Sequence, residues 1–413
     1  QRESNVRSYC RRFTETFVAA SGCEQTTQSG KTYLDFFAGA GALNYGHNNP
    51  YIMGRVIEYL NSGGVIHSLD MHTAAKREFL TTFTEKILKP RGLSYRVQFC
   101  GPTGTNGVEA ALKLARKAKG REGIFSFMGG FHGVTMGSLS ATGGQDFRNG
   151  AGRCLSGVTF FPYPGKPYDG IDVPGYIRAV LDDDHSGVAK PAAIILETVQ
   201  AEGGVNVAPI EFLKEIRRIC DERDILMICD DVQVGCFRTG GFFSFERAGI
   251  QPDMVILSKS ISGCGFPMSL MLMKPECDVW NPGEHSGTFR GYQPAFVGAK
   301  AAIEFAEENN LPETVRQSSE FLLSYLRENL SEIDGRITAG GVGLIIGIDY
   351  SGISEQSSLA GKIAGICFER GLLIETAGRG DEVLKLLPPL TTPREQLKRG
   401  CDIILESTRV ALG

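Results

Sequence analysis

Three apolar tetrapeptides in the middle of the chain end on residues that can do chemistry. Residues 193–196 (AIIL) run into Glu197, 226–229 (LMIC) into Asp230 and Asp231, and 254–257 (MVIL) into Ser258 and Lys259. A lysine amine attacks a carbonyl to form an imine once burial or a neighbouring cation lowers its pKa from about 10.4. A carboxylate bonded to a heteroaromatic nitrogen keeps that nitrogen protonated, so that the ring withdraws electrons. Taken singly, each residue is better read as part of an ion pair closing a sheet edge or as an ordinary solvated strand end. Two further features point the same way. Residues 102–107 (PTGTNG) place glycines at the start of a helix, where free N–H groups and the positive dipole end receive a phosphate. Gly263 and Gly265, just after Lys259, let a flat ligand approach the backbone. Together the lysine, the aspartate and the cradle describe pyridoxal phosphate held as an imine. Phe131 in MGGFHGVT either stacks on its ring or packs the core.

These residues need strands that deliver them to one edge. Phe212, Leu213, Ile216, Ile219 and Cys220 fall on one face of a helix between AIIL and LMIC, making a right-handed strand–helix–strand unit, and MVIL adds a further parallel strand. Open parallel sheets bind ligands beyond the carboxyl ends of their strands. Residues 106–120 read as an amphipathic helix, with Glu109 placed to pair with Lys113 on its exposed side and Gly120 as its stop. Residues 160–175 read as a loop from their prolines and glycines. Trp280 and the run 268–273 (MSLMLM) are expected to pack the core. From about residue 315 helices alternate with fewer strands, which suggests a separate, smaller C-terminal domain.

Composition narrows the function classes. A chain of 413 residues with 42% hydrophobic residues and a net charge of −4 has enough core for two or three packed units and no basic stripe for nucleic acid or a membrane surface. No apolar run is long enough to span a bilayer, and the polar first residues (QRESNVRSYCRR) do not read as a signal peptide, so a soluble cytoplasmic protein is expected. The 11 cysteines lack any CxxC pair and are expected to be reduced packing residues. His47, His132 and His285 lack metal-ligand spacing.

Nearly the whole chain resembles the class III aminotransferases (ornithine, acetylornithine and 4-aminobutyrate type) of pyridoxal-phosphate fold type I. The likeness rests on ordered motifs: GKTYLDFFAGAGALNYGHNNP, TGTNGVEAALKLAR, FHG, ETVQAEGG, DDVQVGCFRTG, SKSISGCGFP and HSGTF. It implies an α/β fold with a large domain, 51–314, whose mostly parallel sheet is flanked by helices. A smaller α/β domain would form from residues 1–50 and 315–413. It implies Lys259 as the imine lysine, Asp230 on the pyridine nitrogen, Gly104 and Thr105 on the phosphate, and Phe131 and His132 in the stacking motif. It further implies Val232 against the ring, Gln233 on the phenolic oxygen, and Thr288 reaching the phosphate of a neighbouring subunit in a homodimer or larger oligomer.

The wording of RSYCRRF, IHSLDMHTAAKREFL and GEHSGTFRG is similar to the diaminobutyrate–2-oxoglutarate aminotransferase branch, which feeds ectoine and certain siderophores or peptide products. The resemblance implies transfer of the 4-amino group of L-2,4-diaminobutyrate to 2-oxoglutarate, giving aspartate 4-semialdehyde and glutamate, with ping-pong kinetics. An ornithine, acetylornithine or 4-aminobutyrate enzyme, or an aminomutase or decarboxylase of the same fold, would share most of these motifs. Three positions depart from the wider family. Val134 stands where many relatives carry arginine, and Lys385 replaces the arginine that holds the 2-oxoglutarate carboxylate. Arg290 stands where glycine is usual, as a carboxylate ligand or as a surface or dimer-contact residue. Lysine offers a point charge where arginine offers a planar fork. A Glu202–Lys385 pair would take the place of the family's glutamate–arginine gate.

Overall fold

The computed structural model describes residues 2–153, 155–353 and 359–413, so Cys154 lies outside the described residues. Seven strands form the central sheet: β1 (Arg96–Gly101), β2 (Ile124–Phe127), β3 (Val158–Phe161), β4 (Ala193–Leu196), β5 (Leu226–Asp230), β6 (Met254–Leu257) and β7 (Ser269–Met273). Their order is β1-β7-β6-β5-β4-β2-β3. Every pairing is parallel except those of β7, which runs antiparallel to β6 and to β1.

The strands are continuous apolar runs because both faces of the sheet are covered. Ile194, Leu196, Met227 and Cys229 pack with Phe212, Leu213 and Ile216 of helix α2 (Ile210–Glu222). The alternate residues Ala193, Ile195, Ile228 and Ile256 pack with Val108, Ala111, Leu112 and Ala115 of helix α1 (Gly104–Lys119). Each fully buried leucine or isoleucine contributes about 2 kcal/mol. The 268–273 run does pack the core, but as the one strand running against the others.

α1 begins at Gly104, two residues before the expected start, because the Asn106 side chain accepts from the Thr103 N–H at 3.2 Å and closes the first turn. It stops where expected, with Gly120 in the left-handed region at φ 60°. The expected loop 160–175 is shorter at both ends, bounded by β3 and by the helix Val173–Asp182.

The two ends of the chain share one sheet. Thr32–Asp35 pairs in parallel with Leu372–Leu373, and a second sheet joins Thr338–Val342, Ile345–Asp349, Val383–Leu386 and Glu375–Ala377. Helix Leu311–Ile333 spans residue 314 without a break. The ten described cysteines are all free, and all but Cys10 and Cys264 are buried. Among the described residues no helix is long and apolar enough to cross a membrane.

Candidate active site

The carboxyl ends of β4, β5 and β6 deliver Glu197, Asp230 and Lys259 to a single cavity of about 320 Å³. Thr103, Gly104 and Thr105 at the start of α1 line it, with Phe131, His132, Glu202, Val232 and Gln233. Lys259 has a left-handed backbone, φ 52°, which is costly for a residue with a β-carbon and marks a position held by its surroundings. Its Nζ donates to the carbonyl of Ala40 at 2.8 Å. Burial pushes its amine below the usual lysine range, and nearby Lys385 pushes the same way against the pull of Glu202.

Asp230 is fixed from two sides. Its Oδ2 is 2.8 Å from His132 Nδ1 and its Oδ1 accepts from the Val232 N–H at 3.1 Å. Burial alone would lower the His132 pKa, but the bond to Asp230 and the charge behind it outweigh that and raise it. Glu197 holds the neighbouring turn by accepting from the N–H groups of Phe131 and Ala201 at 2.9 and 3.2 Å. Burial, with Asp230 adding to it, pushes the Glu197 carboxyl up to about 7.

The helix start is built for close approach. A β-carbon on Gly104 would lie 2.8 Å from Val232 Cγ1, so only glycine lets α1 sit against the residue that lines the ring cavity. Thr105 Oγ1 contacts both Thr135 Oγ1 and Ser138 Oγ at 2.6 Å. Glu109 does not pair with Lys113. Its carboxylate accepts from Thr135 Oγ1, Gly137 N–H and Ser138 N–H, capping the next helix, and Lys113 reaches the Glu284 carbonyl. Gly133 has φ +115°, and a β-carbon there would lie 2.5 Å from Thr105 Oγ1. Gly133→Ala is therefore expected to cost about 2 kcal/mol, read by denaturant unfolding, and to weaken cofactor retention.

A second cluster closes the cavity. Lys385 Nζ lies 2.6 Å from Glu202 Oε1, 3.2 Å from Glu375 Oε1 and 3.2 Å from Gln233 Oε1. Gln233 Nε2 donates to Glu202 at 3.2 Å and to the Ala40 carbonyl at 3.0 Å. Burial works against the Lys385 charge, yet the two carboxylates together hold the amine above its usual range. Burial likewise opposes ionisation of Glu202, but Lys385 and Lys259 bring it down to about 2. Glu375 is raised, because burial outweighs the pull of Lys385.

Two expected site residues lie elsewhere in the chain. Thr288 is exposed, outside the cavity lining, and its carbonyl sits 2.5 Å from His67 Nε2. Arg290 pairs with Asp70 and donates to the His285 carbonyl, in a separate groove lined also by Trp280. The sequence reading missed Glu375 and the Ala40 carbonyl. Glu375 is the last residue of the GLLIE run and stands directly across from Lys385 in the strand pairing, a relation that only the topology reveals.

The profile described as "Aminotransferase class-III" matches residues 10–407. The chain belongs to this family. A diaminobutyrate–2-oxoglutarate transaminase of Bordetella parapertussis is 53% identical over 412 residues, covering 99% of this chain and 94% of that protein. One from Nocardia farcinica is 52% identical over 404 residues, covering 97% and 91%. Among solved structures, an ornithine aminotransferase from Toxoplasma gondii superimposes with a TM-score of 0.85 at 23% identity, covering 100% of this chain and 93% of that one. A Bacillus anthracis aminotransferase gives 0.86 at 23% identity, covering 99% and 96%. These structural likenesses establish the aminotransferase fold.

Proposed function

We propose that this class-III aminotransferase uses pyridoxal 5'-phosphate to move the 4-amino group of L-2,4-diaminobutyrate to 2-oxoglutarate. The observation that carries the reading is the convergence of Lys259 and Asp230 on one cavity at the N-terminus of α1. The choice of donor follows the relatives named above.

The residues present fit the cofactor. Gly104 and Thr105 offer the free N–H groups of a helix start to its phosphate. Phe131, Val232, His132, Asp230 and Gln233 line the same cavity; Phe131 and Val232 would hold the ring, Asp230 backed by His132 would hold the ring nitrogen, and Gln233 the phenolic oxygen. When bound, the cofactor's protonated ring takes up the electron pair released at the substrate carbon. Asp230 holds the proton on the ring nitrogen, and His132 holds Asp230. Lys259 would give up its bond to the cofactor to the incoming amine, and its freed Nζ, already shifted towards the neutral form, would be the base that carries the proton from the substrate carbon to the cofactor carbon that bore the imine. The Phe131 turn, held by Glu197, covers the cavity on one side. Glu202 meets the substrate's distal end and is held there by the fully buried Lys385, while Arg290, paired with Asp70 in a separate groove, stays outside this cavity.

Thr288 is proposed to complete the phosphate site of a second subunit, which accounts for its exposure here and makes the enzyme a homodimer or larger oligomer. Residues 1–50 and 315–413 are proposed as the small domain around the large 51–314 domain, and the enzyme as cytoplasmic. Its partners are small amino and keto acids.

A panel of single-turnover reactions with terminal amines tests the reading. Diaminobutyrate is expected to convert the cofactor at least about tenfold faster per unit concentration than ornithine, acetylornithine or 4-aminobutyrate. A clear preference for another donor would remove the diaminobutyrate reading and keep the transaminase. Donor consumption without formation of a keto or aldehyde product would favour an aminomutase or decarboxylase.

A further inference from the structure

The departure from arginine to Lys385 comes with a second acid. Glu375 and Lys385 face each other across the antiparallel pair of strands Glu375–Ala377 and Val383–Leu386, so the backbone fixes their approach. Glu202 reaches the same amine from the loop after β4, tethered by its own carbonyl, which accepts from the Gly378 N–H at 2.9 Å. The two acids differ in what they face. The Lys385 side chain is 0% exposed and Glu375 4%, whereas Glu202 is 27% exposed. Glu202 lines the Lys259 cavity and also the adjoining cavity beyond Phe131, and Glu375 lines neither. One carboxylate can therefore turn to a ligand while the other stays with the lysine.

A buried lysine stripped of its only counter-ion is strongly unfavourable. With Glu202 alone as partner, Lys385 would hold that acid back from any substrate. We propose that Glu375 is a positioning residue of the donor site, keeping Lys385 neutralised when Glu202 turns to the distal ammonium of the amino donor. The choice of donor rests on the diaminobutyrate reading above; the role of Glu375 needs only a donor with a second ammonium group. Of the other two acids lining the cavity, Asp230 is committed to His132 and the Val232 N–H, and Glu197 to the Phe131 and Ala201 N–H groups. Glu202 is the acid left to meet that ammonium.

Three donors separate the charges at the distal end. Diaminobutyrate carries ammonium and carboxylate, 1,3-diaminopropane only ammonium, and 4-aminobutyrate only carboxylate. In Glu375→Gln, the concentration giving half-maximal donor reaction is expected to rise about tenfold or more for the two diamines and less than about threefold for 4-aminobutyrate. The reaction of the amino form with 2-oxoglutarate should change less than about threefold. The double variant Glu375→Leu/Lys385→Met removes the pair whole, frees Glu202, and should return the diamines to within about threefold of wild type. Thermal unfolding of the cofactor-free Glu375→Gln protein should stay within about 4 °C of wild type, because Glu202 still pairs Lys385. Equal losses on all three donors, no loss on the diamines, or a double variant no better than the single one would overturn the proposal. If wild type prefers ornithine, the diaminobutyrate reading fails while the Glu375 role is scored on ornithine against 4-aminobutyrate.

Discussion

Lys259→Ala is expected to lower turnover by about four orders of magnitude or more and to remove the visible absorption of a lysine-linked cofactor. In the proposed mechanism the amine has two jobs at one atom: it anchors the cofactor, and once displaced it carries the proton at the substrate carbon. Nothing else in the cavity can substitute. Lys385, the other amine beside the site, is fully buried and pinned by two carboxylates that hold its proton on. Glu197 is occupied by two backbone N–H groups. The loss should not be a folding defect. Burial and the neighbouring Lys385 both disfavour the Lys259 charge, so removing it relieves a cost, and alanine adopts the φ of 52° no worse than lysine does. Stopped-flow spectra and thermal unfolding of the same preparation check both halves. An unchanged visible band in the variant would end the assignment of Lys259.

Much of this site was legible because parallel strands buried on both faces write themselves as uninterrupted apolar runs, and the polar residue after each run must stand at the ligand edge. That logic located Glu197, Asp230 and Lys259, and the glycines of residues 102–107 marked the helix start that lines the same cavity. It was weaker where pairing partners are distant in sequence. The 268–273 run is a strand only because it adds between β6 and β1, and nothing local announces its reversed direction. Glu109 looked like half of an i,i+4 pair, but a helix N-terminus packed beside it offers two N–H groups, and charge-assisted bonds to these outweigh an exposed ion pair. Glu375 was invisible because it faces Lys385 through strand register rather than sequence spacing. Thr288 shows the limit of one chain: its proposed role needs a second subunit.

Asp230→Asn is the second large effect, with kcat expected to fall by about 10³-fold while the cofactor remains bound. Asparagine keeps the size and can still accept from the Val232 N–H, but it cannot hold a proton on a ring nitrogen through a negative charge. The His132 contact makes the variant separable from a simple loss of fit. In wild type the Asp230 carboxylate raises the His132 pKa against the opposing effect of burial. A histidine whose folded pKa lies above its unfolded value of about 6.5 contributes stability that is fully present below that value and is lost as pH rises through the folded pKa. Asparagine removes this contribution and leaves the burial effect, so the histidine becomes neutral at lower pH. The stability deficit of Asp230→Asn relative to wild type should therefore be largest near pH 6 and shrink towards pH 9, while the kcat deficit persists across the range. Urea unfolding of the cofactor-free proteins at the two pH values measures the first quantity, and turnover of the loaded enzymes measures the second. A stability deficit that grows with pH would mean that the Asp230–His132 pair is not the charged couple its geometry describes. A kcat deficit that vanished at one end of the range would place the decisive proton on His132 rather than on the ring nitrogen proposed as Asp230's partner.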